Sequence, residues 1–186
     1  MSSSTCRLHS GSRAKEILST ERLTLRHLVL SDLDALFELY RDPEVRRYFP
    51  DGTLTLAETR SELEWFMKGH PRRPELGFWA TVERSAGAFL SRCGLLPWSI
   101  DGATEVELAF LISKSRWREG FATEAAQGII QYARDQLRLS RLISLVVPCN
   151  VPSERVATKV GMVFERDYTD PFGPCRIYGR SLDAQC

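Results

Sequence analysis

Arg116-Trp117-Arg118-Glu119-Gly120-Phe121-Ala122-Thr123-Glu124-Ala125-Ala126 is a polar turn with one glycine that opens directly into an apolar-periodic run. Gly120 lets the backbone approach a ligand closely. The first-turn N–H groups from Gly120 to Thr123 have no intrahelical partner, so the stretch has the layout of a phosphate-binding helix start. The helix dipole favours an anion at the same place. Read alone, one glycine at a loop-to-helix junction is commonly no more than a cap or a tight turn. Its neighbours add to it: a strand-like run containing acidic residues, Glu105-Val106-Glu107-Leu108-Ala109-Phe110-Leu111-Ile112, lies just before, and a second strand and Asn150-Val151-Pro152-Ser153 follow.

Working outward, 186 residues with 43% hydrophobic and 26% charged side chains suit one globular domain with a sizeable core. A formal net charge of +1 gives no reason to expect nucleic acid or an anionic membrane as partner, and Arg46-Arg47 and Arg72-Arg73 read as solvated surface. The apolar runs are strand-length, with neither a membrane span nor a signal-peptide core, so a soluble, cytoplasmic protein is expected. Met1 to Lys15 is Ser-rich, contains Arg7, Arg13 and Lys15 and lacks acids, a composition shared with organellar transit peptides. The reading adopted is a disordered tail over residues 1–18 and a single domain over 19–186. Five cysteines without a C-x-x-C pair indicate neither a disulfide framework nor a zinc site, and His9, His27 and His70 have no ligand spacing, so no metal is expected. No G-x-S-x-G or HExxH is present.

In chain order, Arg22 to His27 alternates as a strand with Leu23 and Leu25 inward and His27 of the same parity. Ser31-x-x-Asp34 resembles a capping box ahead of a short helix that Asp42-Pro43 stops, and Thr55-x-x-Glu58 opens a second helix that ends at Gly69. Tyr48-Phe49, in the loop between them, either plugs the core edge or lines an acceptor pocket. Strands are expected at Gly77 to Glu83, Ala88 to Leu96 and Glu105 to Ser113 as an antiparallel meander, with a turn at Ser99-Ile100-Asp101-Gly102. A helix follows from Phe121 to Leu137, with Ala122, Ala125, Ala126, Ile129 and Ala133 on one face. The strand Arg141 to Val147 then returns parallel by a right-handed crossover. A short helix from Pro152 to Val160 ends at Gly161, and Met162 to Arg166 with Arg176 to Ser181 form a closing hairpin. The class is mixed α/β.

Along the Glu105 strand, Val106, Leu108, Phe110 and Ile112 point one way and Glu105, Glu107, Ala109 and Leu111 the other. Glu107 is then either a solvated edge residue or a partly desolvated carboxylate whose pKa rises toward the range of a general base. Cys149 reads as a packed small residue, since no histidine partners it.

These residues resemble the GCN5-related N-acetyltransferase (GNAT) superfamily, and within it the ribosomal-protein alanine acetyltransferase (RimJ/RimL) type. The resemblance covers about Thr20 to Leu182. It rests on Thr20-Glu21-Arg22-Leu23-x-Leu25-Arg26, Asp42-Pro43-Glu44-Val45, Cys93-Gly94-Leu95 and Val106-Glu107-Leu108. The more specific motifs are Trp117-x-x-Gly120-Phe121-Ala122-Thr123-Glu124-Ala125 and Asn150-x-x-Ser153-x-Arg155-x-x-x-Lys159-x-Gly161-Met162. It implies a mostly antiparallel sheet with helices on both faces, splayed between the Glu105–Ser113 and Arg141–Val147 strands.

The resemblance also implies acetyl-CoA as cosubstrate and a primary amine as acceptor, either a protein N-terminus or a small molecule. Trp117, Arg118, Glu119, Gly120, Phe121, Ala122 and Thr123 stand where the family binds pyrophosphate, with Trp117 in place of Gln or Arg and Arg116 or Arg118 able to supply charge. Phe110, Leu111 and Ile112 would bond pantetheine through their backbone, and Asn150 and Ser153 would contact the cofactor. Glu107 is the candidate base, directly or through water. Ala157 replaces the tyrosine that many members use as acid, which leaves Ser153 as candidate acid, with helix capping as its structural alternative. The same fold without turnover, an acyl-CoA-binding sensor, is the alternative function. The chain is expected to be a monomer or homodimer.

Overall fold

The computed structural model describes residues 14–183. Eight strands form one sheet in the order β1-β2-β3-β4-β5-β6-β8-β7. They are β1 (Glu16–Ser19), β2 (Leu23–His27), β3 (Gly77–Glu83), β4 (Phe89–Ile100), β5 (Ala103–Ile112), β6 (Arg141–Val146), β7 (Val163–Asp170) and β8 (Gly173–Ser181). Helices α1 (Leu33–Tyr40), α2 (Leu56–Lys68), α3 (Phe121–Asp135) and α4 (Val151–Lys159) complete the fold. Every strand pairing is antiparallel except β5 with β6, the mixed sheet the sequence led us to expect.

Alternation along the strands divides the core into two layers. One layer joins Val106, Leu108 and Ile112 of β5 to Ala125, Ala126, Ile129 and Ala133 of α3, whose small side chains let the helix lie close to the sheet. The opposite layer joins Leu111 to Leu36, Leu39 and Tyr40 of α1 and Leu63 of α2. Glu107 shares the parity of Leu111 and faces the α1–α2 side.

Several local expectations are corrected. Glu16–Ser19 is a strand paired with β2, and Ile17 and Leu18 pack against the core, so this part of the segment assigned to a tail is folded; residues 1–13 lie outside the described residues. Ser31 does not cap α1. Asp32 holds the N-cap position without a side-chain bond into α1; its carboxylate instead accepts from the Val29 N–H at 2.9 Å, closing the short 3-10 turn ahead of the helix, and from Arg26 at 2.7 Å twice. At α2 the capping box is as expected, with Thr55 Oγ1 accepting from Glu58 N at 3.3 Å and Glu58 accepting from Thr55 N at 2.8 Å. His27 is exposed at its strand end, despite sharing the parity of buried Leu23 and Leu25. Arg46 is not surface at all, being only 2% exposed.

Strand β4 runs through Pro97 to a tight turn at Asp101-Gly102. Ser113 N donates to Leu90 O at 2.9 Å, and the alternation of an antiparallel ladder then aims the backbone groups of Arg92, Gly94 and Leu96 at β5. Pro97 therefore faces the β3 side, beyond the last β3 pair at Gly77 and Leu95, where its missing N–H disturbs nothing.

The start of α3 is braced by the β1–β2 connection. Glu124 accepts from Thr20 Oγ1 at 2.6 Å, Arg22 N at 2.8 Å and Arg22 Nε at 2.6 Å. Burial raises the Glu124 pKa, but these bonds outweigh it and the net shift is downward. Glu124→Ala is expected to destabilise the fold by about 1–3 kcal/mol in denaturant titrations, because the Thr20 and Arg22 donors lose a charged acceptor. A depressed carboxylate stabilises fully above its ordinary value of 4.5 and loses that contribution as pH falls, so the gap between variant and wild type should close on acidification.

Candidate active site at the splayed strands

The parallel pairing of β5 with β6 holds at one register pair, Glu107 with Ile143. Ser144 Oγ donates to Leu108 O at 2.8 Å just beyond it. Past Leu108 the strands diverge. The alternation that turns Leu111 and Ala109 toward β4 turns the backbone groups of Leu108, Phe110 and Ile112 toward the gap. Of the expected trio Phe110, Leu111 and Ile112, Leu111 is thus corrected: its N–H and C=O belong to the β4 ladder. The Ile112 carbonyl is also taken, by Trp117 Nε1 at 2.9 Å. Phe110 offers both a donor and an acceptor to the gap.

The same indole bond ties the Trp117–Gly120 turn to the end of β5, so the tryptophan fixes the loop rather than merely replacing a polar side chain. Gly120 caps α3 with φ +86°, a left-handed conformation that disfavours any residue with a Cβ. No side chain caps this helix, and its first helical bond is Glu124 N to Gly120 O at 3.0 Å. The N–H groups of Phe121, Ala122 and Thr123 are therefore left for a ligand. Arg116 is not available to it. Its guanidinium bonds Glu83 twice at 2.9 Å, reaches Glu119 at 3.1 Å and lies 4.6 Å from the Phe121 ring centroid. Arg118 is exposed, with φ +68°.

Glu107 is 8% exposed. Burial pushes its pKa up to about 7, while bonds from the Trp98 indole and the Leu145 backbone, and the charge of Arg92, pull the other way. Trp98 Nε1 donates to Glu107 Oε2 at 2.6 Å. Sequence reasoning missed Trp98 because it lies past the expected end of β4; continuing the alternation through Pro97 would have placed its side chain on the face that carries Glu107. A buried carboxyl poised near neutrality and held by the Trp98 indole suits proton abstraction from an amine.

Asn150 and Ser153 come together, but as a helix cap: Asn150 Oδ1 accepts from Ser153 N at 3.3 Å. Ser153 is the capped residue, not the cap, and its half-buried hydroxyl takes no part in that bond. Ala157 is buried in the core. Cys149 is exposed, with φ +70°, and its carbonyl accepts from Tyr48 Oη at 3.1 Å, which closes the α1–α2 connection over the β6–α4 turn. Phe49 packs in the α1–α2 core layer. Among the described residues no cluster of His, Cys, Asp or Glu could hold a metal, and no helix is long and apolar enough to cross a membrane. A groove of about 940 Å³ lies elsewhere, between β1–β2 and the outer side of α3. It includes Gly120 and Thr123 but neither Glu107 nor the β5 edge.

Residues 22–163 match the acetyltransferase (GNAT) domain family. The chain is 30% identical over 172 residues to the uncharacterized protein YkkB of Bacillus subtilis (strain 168), covering 90% of this chain and 96% of that protein. It is 28% identical to the uncharacterized N-acetyltransferase p20 of Bacillus licheniformis, covering 82% and 87%. A GNAT-family acetyltransferase structure from Bacillus anthracis superposes with a TM-score of 0.78 at 23% identity, over 89% of this chain and 98% of that one. The CoA complex of RimL, a ribosomal L7/L12 α-N-protein acetyltransferase, does so with a TM-score of 0.76 at 15% identity, over 92% and 100%. The splayed β5–β6 pair, the uncapped α3 start and the matched domain identify the chain as a member of the GNAT acetyltransferase family.

Proposed function

We propose that the chain transfers the acetyl group of acetyl-CoA to a primary amine by direct attack in a ternary complex, as an N-acetyltransferase of the RimJ/RimL type. The observation that carries this reading is the placement of Glu107 at the one β5–β6 register pair, three residues before the free Phe110 edge. The α3 N–H groups of Phe121, Ala122 and Thr123, with the Gly120 turn, suit a pyrophosphate. The Phe110 backbone, with the Ile112 N–H, suits the amide-bearing pantetheine arm in the manner of strand addition. Trp117 and Glu119 shape the turn, and exposed Arg118 supplies charge beside it.

An α-amino group has a pKa of about 7.7–8.0 and a lysine about 10.4, so a proton has to leave for attack to occur. Glu107 is the base that takes it, directly or through a water. The Phe110 N–H is the donor that polarises the thioester carbonyl and stabilises the developing oxyanion. Ser153, at the first turn of α4 beside Asn150, is the hydroxyl for the departing thiolate. No acyl-enzyme is required, and Cys149 has no histidine beside it in the sequence.

Structural neighbours include the RimL protein acetyltransferase and the aminoglycoside acetyltransferase AAC(6')-Ib, so both protein and small-molecule amines stand as acceptors. The alternative, an acyl-CoA sensor without turnover, gives no use to a carboxyl held near pH 7.

Calorimetry with acetyl-CoA should show binding that Gly120→Asp reduces at least tenfold, since the substitution strains a left-handed site and sets a negative charge against the phosphates. CoA release with a panel of peptide and small-molecule amines then separates enzyme from sensor: binding without release under every amine would favour the sensor. Glu107→Gln is expected to lower kcat by about 10²–10⁴-fold while binding of acetyl-CoA persists.

The pH dependence gives a second check. The Glu107 carboxylate is the active form, so kcat/KM should rise with pH through about 7. Removing the indole donor in Trp98→Phe withdraws a bond that favours the ionised carboxylate, so this limb should move to higher pH with the same acceptor. A limb that stays in place would mean that it reports the substrate amine and not Glu107.

A further inference from the structure

Two buried arginines lie on the sheet face that carries Glu107, and the transfer step proposed above uses neither. Arg92 of β4 is 5% exposed and Arg46, in the α1–α2 connection, 2%. Both guanidinium groups lie over the same two rings. Arg46 is 4.3 Å from the Phe49 centroid and 5.0 Å from that of Tyr40, and Arg92 is 5.9 Å and 5.3 Å from them. Arg92 is closer still to Phe78, at 3.9 Å.

A buried guanidinium brings five N–H donors and a charge that is costly to keep without a bonded anion. Little of that demand is met. Arg46 donates through Nε to Gly52 O at 2.7 Å, and Arg92 through Nε to the Tyr40 hydroxyl. Asp51 Oδ1 lies 2.6 Å from Arg46 Nη2, yet that buried nitrogen has no hydrogen bond, because the contact has the distance without the donor geometry. Asp51 is itself exposed. Glu62 is 3.7 Å from Arg92 Nη2, outside hydrogen-bond range, and its oxygen accepts from Tyr40 Oη at 2.5 Å instead.

Arg92 shares a sheet face with the candidate base, four residues away along the β4–β5 ladder. Arg92 is opposite Leu111 on β5, and Leu96 is opposite Glu107; between them on this face, Leu96 and Ala109 are only half-buried. Arg92 acts on Glu107 as a neighbouring positive charge. Asp170, at the β7–β8 turn across β6 from Glu107, acts as a negative one. Glu107 thus lies between a positive group on the β4 side and a negative one on the β8 side.

We infer that the acceptor is a primary amine that also carries a carboxylate, with its amine at Glu107 and its carboxylate on Arg92 and Arg46. The planar fork of a guanidinium matches a carboxylate, which would supply the acceptors these nitrogens lack, and Asp170 repels the reverse orientation. The inference rests on the acetyltransferase reading. Two sources share this chemistry: a free amino acid, or a peptide with an acidic residue next to its N-terminus.

The test uses the full chain with acetyl-CoA and matched acceptors: free amino acids against their α-amides, and peptides differing only by Asp for Asn or Glu for Gln at the second position. Rates are corrected for the fraction of neutral amine. The carboxylate member of one pair should have at least a tenfold higher kcat/KM, and the pair that shows it identifies the source. Arg92→Gln should shrink that ratio at least fivefold. If the variant fails to fold, the ratio in the wild-type protein decides alone. Acid and amide used equally in both arms would overturn the inference and leave the acetyltransferase reading standing, whereas transfer to no amine at all would overturn that reading as well.

Discussion

The site depends on the divergence of β5 from β6. A parallel pair that closed along its full length would consume the backbone groups of Phe110 and Ile112 and leave no open edge within the sheet. The separation is tolerated because β5 keeps its whole ladder with β4, from Ala103 to Ile112, and β6 keeps a continuous ladder with β8, from Arg141 to Val146. Each strand is held on its outer side, so the gap between them costs only the pairs not formed there. Ser144, bonded to the Leu108 carbonyl, marks where closure stops.

Two kinds of electrostatic arrangement meet at this gap. At the α3 start, Arg116 is spent on Glu83 and Glu119, and Glu124 on Thr20 and Arg22, so side-chain charges lock the turn while its N–H groups stay free. Around Glu107 the balance is different. Burial keeps the carboxyl neutral more readily than water would, which means that ionising it costs the folded state. The stability it contributes is full below the ordinary carboxylate pKa and is lost as pH rises through about 7. A base of this kind is held at some expense to the fold, a common feature of functional carboxyls.

Much of this was legible in the sequence because the signals were local. Alternation placed Glu107 opposite to Leu108 in side-chain direction, Thr55 and Glu58 announced their own helix, and Gly120 marked the start of α3. What escaped depended on partners distant in the chain. The strand expected to stop at Leu96 runs on through Pro97, which only the end of β3 beside it explains. Strand β1 has a single apolar pair, Ile17 and Leu18, too short a pattern to stand out after a serine-rich segment. Arg46 looked like surface because it adjoins Arg47; its burial comes from Tyr40 and Phe49, and that of Arg92 also from Phe66 and Phe78, rings brought together by the α1–α2 side of the core. The capping of Ser153 by Asn150 escaped for a local reason, since the two alternatives differ only in which residue starts the helix.

The most direct measurement is a two-dimensional amide NMR titration of the protein with acetyl-CoA. If one ligand bridges the strand gap and the helix start, the amides of Phe110, Ile112 and Gly120 through Thr123 shift together along a single saturation curve, while Leu111, turned into the β4 ladder, moves little. Shifts confined to the groove between β1–β2 and the outer side of α3, with the Phe110 amide unmoved, would contradict the placement of the acetyl donor at the splayed strands.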